Sequence, residues 1–207
     1  QPSGHGPALA VLATVFFMWG FVTVLNDILV PHLKGIFELN YAQTMLIQFT
    51  FFSAYFLVSL PASWILERLG YQKTIVAGLL VMGCGALLFV PAASIPSYAV
   101  FLGALWILAS GMPLLQVSAN PDVASMGPAH SSASRLNLVQ ALNSLGTTIG
   151  PAAGGFLILS SATRTAAEIQ AMAPDALQAW RLSEAASVTL PYVGLAGLLA
   201  VLAPVTG

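Results

Sequence analysis

Apolar residues run in long blocks along this chain, and short polar breaks separate the blocks. A bilayer-spanning helix needs about 20 mostly apolar residues. Six blocks meet that length: Ala8 to Val30, Ala42 to Leu66, Thr74 to Ala93, Tyr98 to Ala119, Leu136 to Leu159 and Val188 to Val205. Lys73 and Pro96 bound the third block, and the breaker "NPD" ends the fourth. The pattern predicts an all-α membrane protein with six transmembrane helices. A tail covers residues 1–7, helices one to five lie within 8–160, a polar loop with short amphipathic helices covers 161–187, and helix six follows over 188–207.

The blocks differ in polarity. The third ("TIVAGLLVMGCGALLFV") and sixth ("VTLPYVGLAGLLAVLA") hold no Asp, Glu, Asn or Gln. The first holds Asn26 and Asp27, the fourth Gln116 and Asn120, and the fifth Asn137, Gln140 and Asn143. On the fifth, Gln140, Asn143, Ser144 and Thr147 fall at offsets of three, four and seven, which places them on one helix face. A carboxylate at the centre of a spanning helix costs about 2.5–3.5 kcal/mol even on insertion scales. Helices three and six are therefore free to face lipid, whereas the polar faces of one, four and five have to meet one another or a wet cavity. Blocks one and four also carry polar residues shortly before a proline, in "NDILVP" and "QVSANP". Interrupted helices at matching positions of two repeats point to a midplane binding site in transporters.

Composition narrows the class further. Apolar residues make up 57% of the chain and charged residues 6%, and the mean hydropathy is +0.87. A soluble domain carries about 25% charged residues, so this chain cannot coat a normal water-facing surface. Six basic residues stand against seven acidic ones with no basic stripe, and no nucleic-acid partner is expected. The single Cys84 excludes an internal disulfide and a cysteine metal site. His5, His32 and His130 lack metal-ligand spacing, and no phosphate loop, nucleophilic triad or paired-carboxylate arrangement stands out. The sequence thus predicts neither an enzyme nor a cofactor or metal. The start, "QPSGHGPALA", has no positively charged region and does not read as a signal peptide. Six spans put both ends on one side, together with Arg68, Lys73 and Arg135, against Lys34, Arg164 and Arg181 opposite. The positive-inside rule separates these sets only weakly.

The stretch "LQVSANPDVASMGPAHSSASRLNLVQALNSLGTTIGP", with "FFMWGF", "LNDILVPHLK", "MLIQFTFFSAYF" and "SLPASWILERLGYQKT", resembles the fucose–proton symporter family of the major facilitator superfamily, and within it the glucose/galactose transporter branch. The similarity runs from about Leu12 to the end of the chain. "ERLGYQK" resembles a degraded form of the superfamily's charged loop between helices two and three, which is cytoplasmic there. The resemblance implies the N-terminal half of a major-facilitator fold, with 3+3 inverted repeats, in the plasma (inner) membrane. Both ends of the chain are then cytoplasmic and 161–187 is extracytoplasmic. It implies a hexose substrate such as glucose, galactose or fucose, moved with a proton or sodium ion by alternating access. It also implies six further helices, in a continuation of the chain or in a partner chain. An exporter of apolar compounds and a non-transporting membrane scaffold are the alternatives.

By position the resemblance maps a first-helix acid of the fucose symporter, implicated in proton handling, onto Asp27. A fourth-helix Glu before "ANP" corresponds to Gln116 here, and an amide has no proton to release. The fifth-helix "Q..N" pattern maps sugar ligands onto Gln140 and Asn143. The amides of Gln116, Gln140 and Asn143 both donate and accept, and carry no charge to strip of water, so all three suit sugar hydroxyls as substrate ligands; the alternative is interhelical glue. Asp27 is either a protonatable coupling site or a structural acid bonded to a neighbouring Asn, and Asn26 beside it is a further candidate substrate ligand. Trp19, at offset eight from Asp27, stacks on a pyranose or packs against helices. Trp64, Tyr41 and Tyr71 read as interface anchors. Glu67, Arg68 and Lys73, joined by Arg135, form either a conformational latch or a solvated loop.

Overall fold

Backbone groups inside a hydrocarbon slab have no water to bond, so a chain this apolar has to close its own hydrogen bonds within helices. The computed structural model describes residues 6–95, 97–158, 168–169 and 171–206. They form α1 (Gly6–Phe37), α2 (Tyr41–Ser94), α3 (Tyr98–Ser125), a 3₁₀ turn (Ala129–Ser131), α4 (Ser132–Ile158), α5 (Pro174–Ser187) and α6 (Thr189–Thr206). No strand occurs among the described residues. The expected tail falls largely on 1–5, the end of the expected fifth helix on 159–160 and the first part of the expected loop on 161–167, all outside the described residues; α5 lies in the remainder of that loop.

At 54 residues α2 is far too long for one crossing: at 1.5 Å per residue it would run about 80 Å, against a hydrocarbon core of about 30 Å. Gly70 divides it. Its φ of 77° and ψ of 175° are non-helical and lie in a region that essentially only glycine enters. The arms, 41–69 and 71–94, are thus two spans joined by a sharp turn. Asn40 starts the first arm with a capping box: its Oδ1 accepts from Gln43 N at 2.9 Å, and Gln43 Oε1 accepts from Asn40 N at 3.0 Å.

Four helical stretches are long and apolar enough to cross a membrane: Gly6–Phe37, Tyr41–Ser94, Tyr98–Ser125 and Pro174–Thr206. With α2 counted twice they supply five crossings. The sixth expected span, α4, has the length at 27 residues but is not among the four. Asn137, Gln140, Asn143, Ser144, Thr147 and Thr148 dilute its apolarity.

Two helices run further than the sequence pattern indicates. α1 continues through Pro31 to Phe37 instead of ending near Val30, and α3 continues through Pro121 to Ser125 instead of stopping at Ala119. Neither proline interrupts its helix, so the expected broken helices are absent at both positions. A helix-interior proline removes one backbone bond, and packing offsets that loss here. His32, Leu33 and Ile36 are buried beyond Pro31, and Val123 is buried beyond Pro121.

The helices assemble as two closely packed groups. α1 lies against α4, where Gly20 faces the Asn143 carbonyl and Gly146 faces the Phe17 carbonyl so closely that neither position has room for a Cβ. The second arm of α2 carries α3 and α6. Phe89 stacks on Tyr192 with ring centroids 4.1 Å apart and meets Phe101 edge-on at 5.8 Å. Between α1/α4 on one side and α2/α3/α6 on the other the contacts are sparse. That seam carries the polar residues. Outward, the first arm of α2 exposes Phe49, Phe52, Phe56, Leu60 and Trp64, a face suited to hydrocarbon rather than to water.

Candidate functional site

Asn26 and Asp27 are neighbours on α1, and a 100° step per residue points them in different directions. Asn26 is 2% exposed, while Asp27 opens onto the face of the bundle. Gln48, on the first arm of α2, reaches both. Its Nε2 donates to Asp27 Oδ1 at 3.2 Å, and its Oε1 accepts from Asn26 Nδ2 at 3.3 Å. The carboxylate therefore ends a chain of two amides that bridges the seam.

A second polar group lies across the seam between α3 and α4. Gln140 Nε2 donates to Asn120 Oδ1 at 3.4 Å, and Asn120 Nδ2 donates to the Gln116 carbonyl at 3.0 Å. The side chains of Gln116 and Gln140 are exposed on the open face. Thr23 sets the relative level of the two groups, since its hydroxyl lies 3.9 Å from Met112 Sδ. Counting crossings, α1 and α3 run antiparallel. Asp27 is four residues beyond Thr23 in one direction and Gln116 four residues beyond Met112 in the other, so the groups stand about 12 Å apart along the helix axes. Trp19, half-buried, lies at the level of Gln116, with its ring 5.6 Å from that of Phe16. The result is an open trough with a carboxylate at one tier, amides and an indole at the other, and Thr23 and Met112 between.

Asn143 stands apart from Gln140. Its Nδ2 donates to the Phe16 carbonyl at 2.9 Å, which ties α4 to α1 inside the tight pair, so one of its two N–H donors is engaged in helix packing. Asn137 and Ser144 are exposed on the same helix, and Thr147 bonds back to the Ser144 carbonyl at 2.8 Å.

The charged residues around the α2 turn do not pair with one another. Glu67, Arg68 and Lys73 are exposed, and the Arg68 guanidinium lies 3.7 Å from the centroid of the Trp64 ring. Arg135 turns to the end of α3: Nε donates to the Val123 carbonyl (3.1 Å), one terminal nitrogen to the Ala124 carbonyl (2.8 Å), and the other to the Pro128 carbonyl (3.2 Å) and Ser131 Oγ (2.6 Å). A cation that satisfies the last carbonyls of a helix caps it and complements its dipole.

Sequence reasoning overlooked two features. Gln48 is the first: a lone amide within "MLIQFTFF" was the available signal, and the polar faces were instead ascribed to helices one, four and five. The second is the C-terminal end of α1, where Glu38 pairs with Arg181 of α5 at 3.0 Å and His32 Nε2 lies 3.0 Å from the Glu184 carbonyl. A cavity of about 430 Å³ bounded by Phe37, Pro174, Leu177, Gln178 and Arg181 adjoins this contact, away from the trough. No group of three or more His, Cys, Asp or Glu suited to a metal occurs among the described residues.

Residues 9–205 match the family model described as Major Facilitator Superfamily. The chain is 52% identical over 199 residues to a glucose/galactose transporter of Brucella abortus, covering 96% of this chain and 45% of that protein. It is 38% identical to the L-fucose-proton symporter of Escherichia coli, covering 94% and 44%. The crystal structure of the Escherichia coli fucose:proton symporter superposes with a TM-score of 0.83 at 36% identity, over 96% of this chain and 48% of that one. The chain spans about half the length of the relatives it matches.

Proposed function

Because the chain belongs to the Major Facilitator Superfamily, an all-helical, multi-pass membrane fold of which it matches one half, we propose that it supplies the N-terminal half of a hexose–cation symporter working by alternating access. One observation carries this reading. In a protein whose outer surface is apolar, a carboxylate and several amides gather on one open trough across the seam of two helix groups. The other half, in a continuation of the chain or in a partner chain, closes the trough into a cavity.

Glucose, galactose or fucose, the sugars in the names of the relatives, occupies the amide tier. Gln116 and Gln140 meet its hydroxyls, Trp19 stacks on its C–H face, and Asn143 offers Oδ1 while holding α4 in place. Asp27 is the coupling group for a proton or sodium ion, steadied by Gln48 with Asn26 behind it. A carboxylate and amides about 12 Å apart keep cation and sugar distinct while both line one passage. Glu67, Arg68 and Lys73 have no ion partners among the described residues and serve as the latch to the other half at the cytoplasmic face. Arg135 supports that face by capping α3. In this arrangement both ends of the chain are cytoplasmic, 161–187 lies outside, and the membrane is the inner, plasma membrane.

The test uses the full-length protein in vesicles, with labelled glucose, galactose and fucose and an imposed proton or sodium gradient. Wild type is expected to accumulate one or more of the sugars. Asp27→Asn is expected to lose gradient-driven accumulation while retaining sugar exchange. Equal accumulation in both would remove Asp27 from coupling, and no uptake of any hexose by wild type would remove the sugar reading.

A further inference from the structure

Gln48 joins a charged, open carboxylate to a buried amide, and the chemistry of those three groups dictates which atoms face each other. An ionised carboxylate only accepts hydrogen bonds. Gln48 must therefore turn its NH₂ group toward Asp27, which leaves Oε1 for Asn26. Asn26 must then donate from Nδ2, and its own carbonyl is left over. The structure has this arrangement: Asn26 Oδ1 is buried and has no partner. An unmet buried acceptor is an unfavourable end to a hydrogen-bond chain, and an acceptor-only carboxylate at Asp27 orients the chain that way.

We propose that Gln48 is a positioning residue for proton coupling, which passes the charge state of Asp27 to the buried side of α1 by reversing the polarity of this chain. The inference rests on the reading of Asp27 as the coupling group. When Asp27 takes a proton from the aqueous side it gains an O–H bond and becomes a donor. The Gln48 amide turns by half a rotation, so that Oε1 accepts from Asp27 and Nε2 faces Asn26. The Asn26 amide turns likewise and accepts through Oδ1, which gains the partner it lacked. No proton leaves Asp27 in this step and no other covalent bond changes. The group that Asn26 presents to the interior changes from a carbonyl to an NH₂.

The location gives the reversal its consequence. α1 packs with α4, and α2 packs with α3 and α6, while α1 and α2 touch little elsewhere. A two-state bridge across a sparse seam biases how the two groups sit against each other, whereas the same bridge inside a close-packed pair would have little to move. Other titratable groups leave the trio alone. On α1, Lys34 lies two turns beyond Asp27, and His32 is engaged with α5. On α2, Tyr55 lies two turns from Gln48. α3 carries Tyr98 and Asp122 near its two ends, α4 carries Arg135 near its start, and Tyr192 of α6 is stacked on Phe89. None of these bonds to Asn26, Gln48 or Asp27.

The experiment again takes the full-length protein in vesicles. Gln48→Leu is expected to keep sugar exchange near the wild-type level, to lose about three- to tenfold in proton-driven accumulation, the size of one or two intramembrane hydrogen bonds, and to flatten the pH profile of exchange. In an Asp27→Asn background the same substitution is expected to leave the pH profile as it was. A role in helix packing alone would lower exchange and accumulation together, in both backgrounds, and would overturn the proposal. A second readout needs no Gln48 variant. The acid-minus-alkaline infrared difference spectrum of the wild type is expected to contain side-chain amide bands that vanish in Asp27→Asn, and carboxyl bands alone would overturn the proposal. Accumulation driven only by sodium would overturn it while leaving the symporter reading intact. Absence of hexose uptake by wild type would overturn both.

Discussion

Substituting Gly146 by alanine adds one methyl group at the closest approach between α1 and α4. The new Cβ would sit inside contact distance of the Phe17 carbonyl, 2.9 Å from Phe21 N and 3.2 Å from the Phe17 carbonyl carbon, where ordinary contact begins near 3.4 Å. Those neighbours are backbone atoms and cannot turn aside as a side-chain tip would. The helices therefore separate by about 1 Å, with an overpacking cost of about 1–3 kcal/mol. The same movement stretches the Asn143 Nδ2 to Phe16 O bond, now 2.9 Å, which forfeits about 0.6–1.7 kcal/mol. Alanine returns about 1 kcal/mol through its higher helix propensity. The net is a destabilisation of about 1–4 kcal/mol. Gly197→Ala is the matched control: it too lies within a helix, but nothing stands within 4 Å of its added Cβ, so only the favourable propensity term of about 1 kcal/mol remains. Reversible denaturation of the full-length protein in detergent measures both, and the two shifts are expected to have opposite signs. Equal shifts would refute the claim that this pair of helices is held by backbone approach at Gly146.

Three further substitutions test the turn of α2 and the end of α3. Arg135→Ala removes the cap on the last carbonyls of α3 and is expected to cost about 2 kcal/mol in the same denaturation assay; Glu67→Gln, at an exposed carboxylate with no ion partner among the described residues, is expected to stay within about 0.5 kcal/mol of wild type. Gly70→Ala forces a side chain into backbone space open essentially only to glycine, at a cost of about 1–3 kcal/mol, and unchanged stability would show that the turn between the arms of α2 lies elsewhere.

The membrane architecture was legible because spanning a bilayer depends on little beyond the length and polarity of a run, which a sequence displays directly. Helix ends were less legible. The sequence starts the second span at Ala42, one residue after the Tyr41 at which α2 begins behind its Asn40 and Gln43 cap, but Pro31 and Pro121 stop nothing, because buried residues beyond them hold the helix together. The site divides along the same line. Asp27, Gln116 and Gln140 stand out since a polar side chain in an apolar run must be accounted for, and helical spacing tells which residues share a face. Which polar group meets which is a different question. The partners of Gln48 lie 21 and 22 residues away, and Asn143 bonds a carbonyl 127 residues away. No periodicity connects such positions; adjacency is set by how two rods cross. The same gap explains Arg135, grouped with Glu67 and Lys73 by charge and loop position, yet drawn to the carbonyls at the end of α3 by the geometry of the α3–α4 connection. Charge and polarity along a membrane chain therefore identify which residues need partners, while the choice among partners belongs to helix crossing. In this half-bundle that choice places one amide, Gln48, where a carboxylate's protonation state and the seam between two helix groups meet.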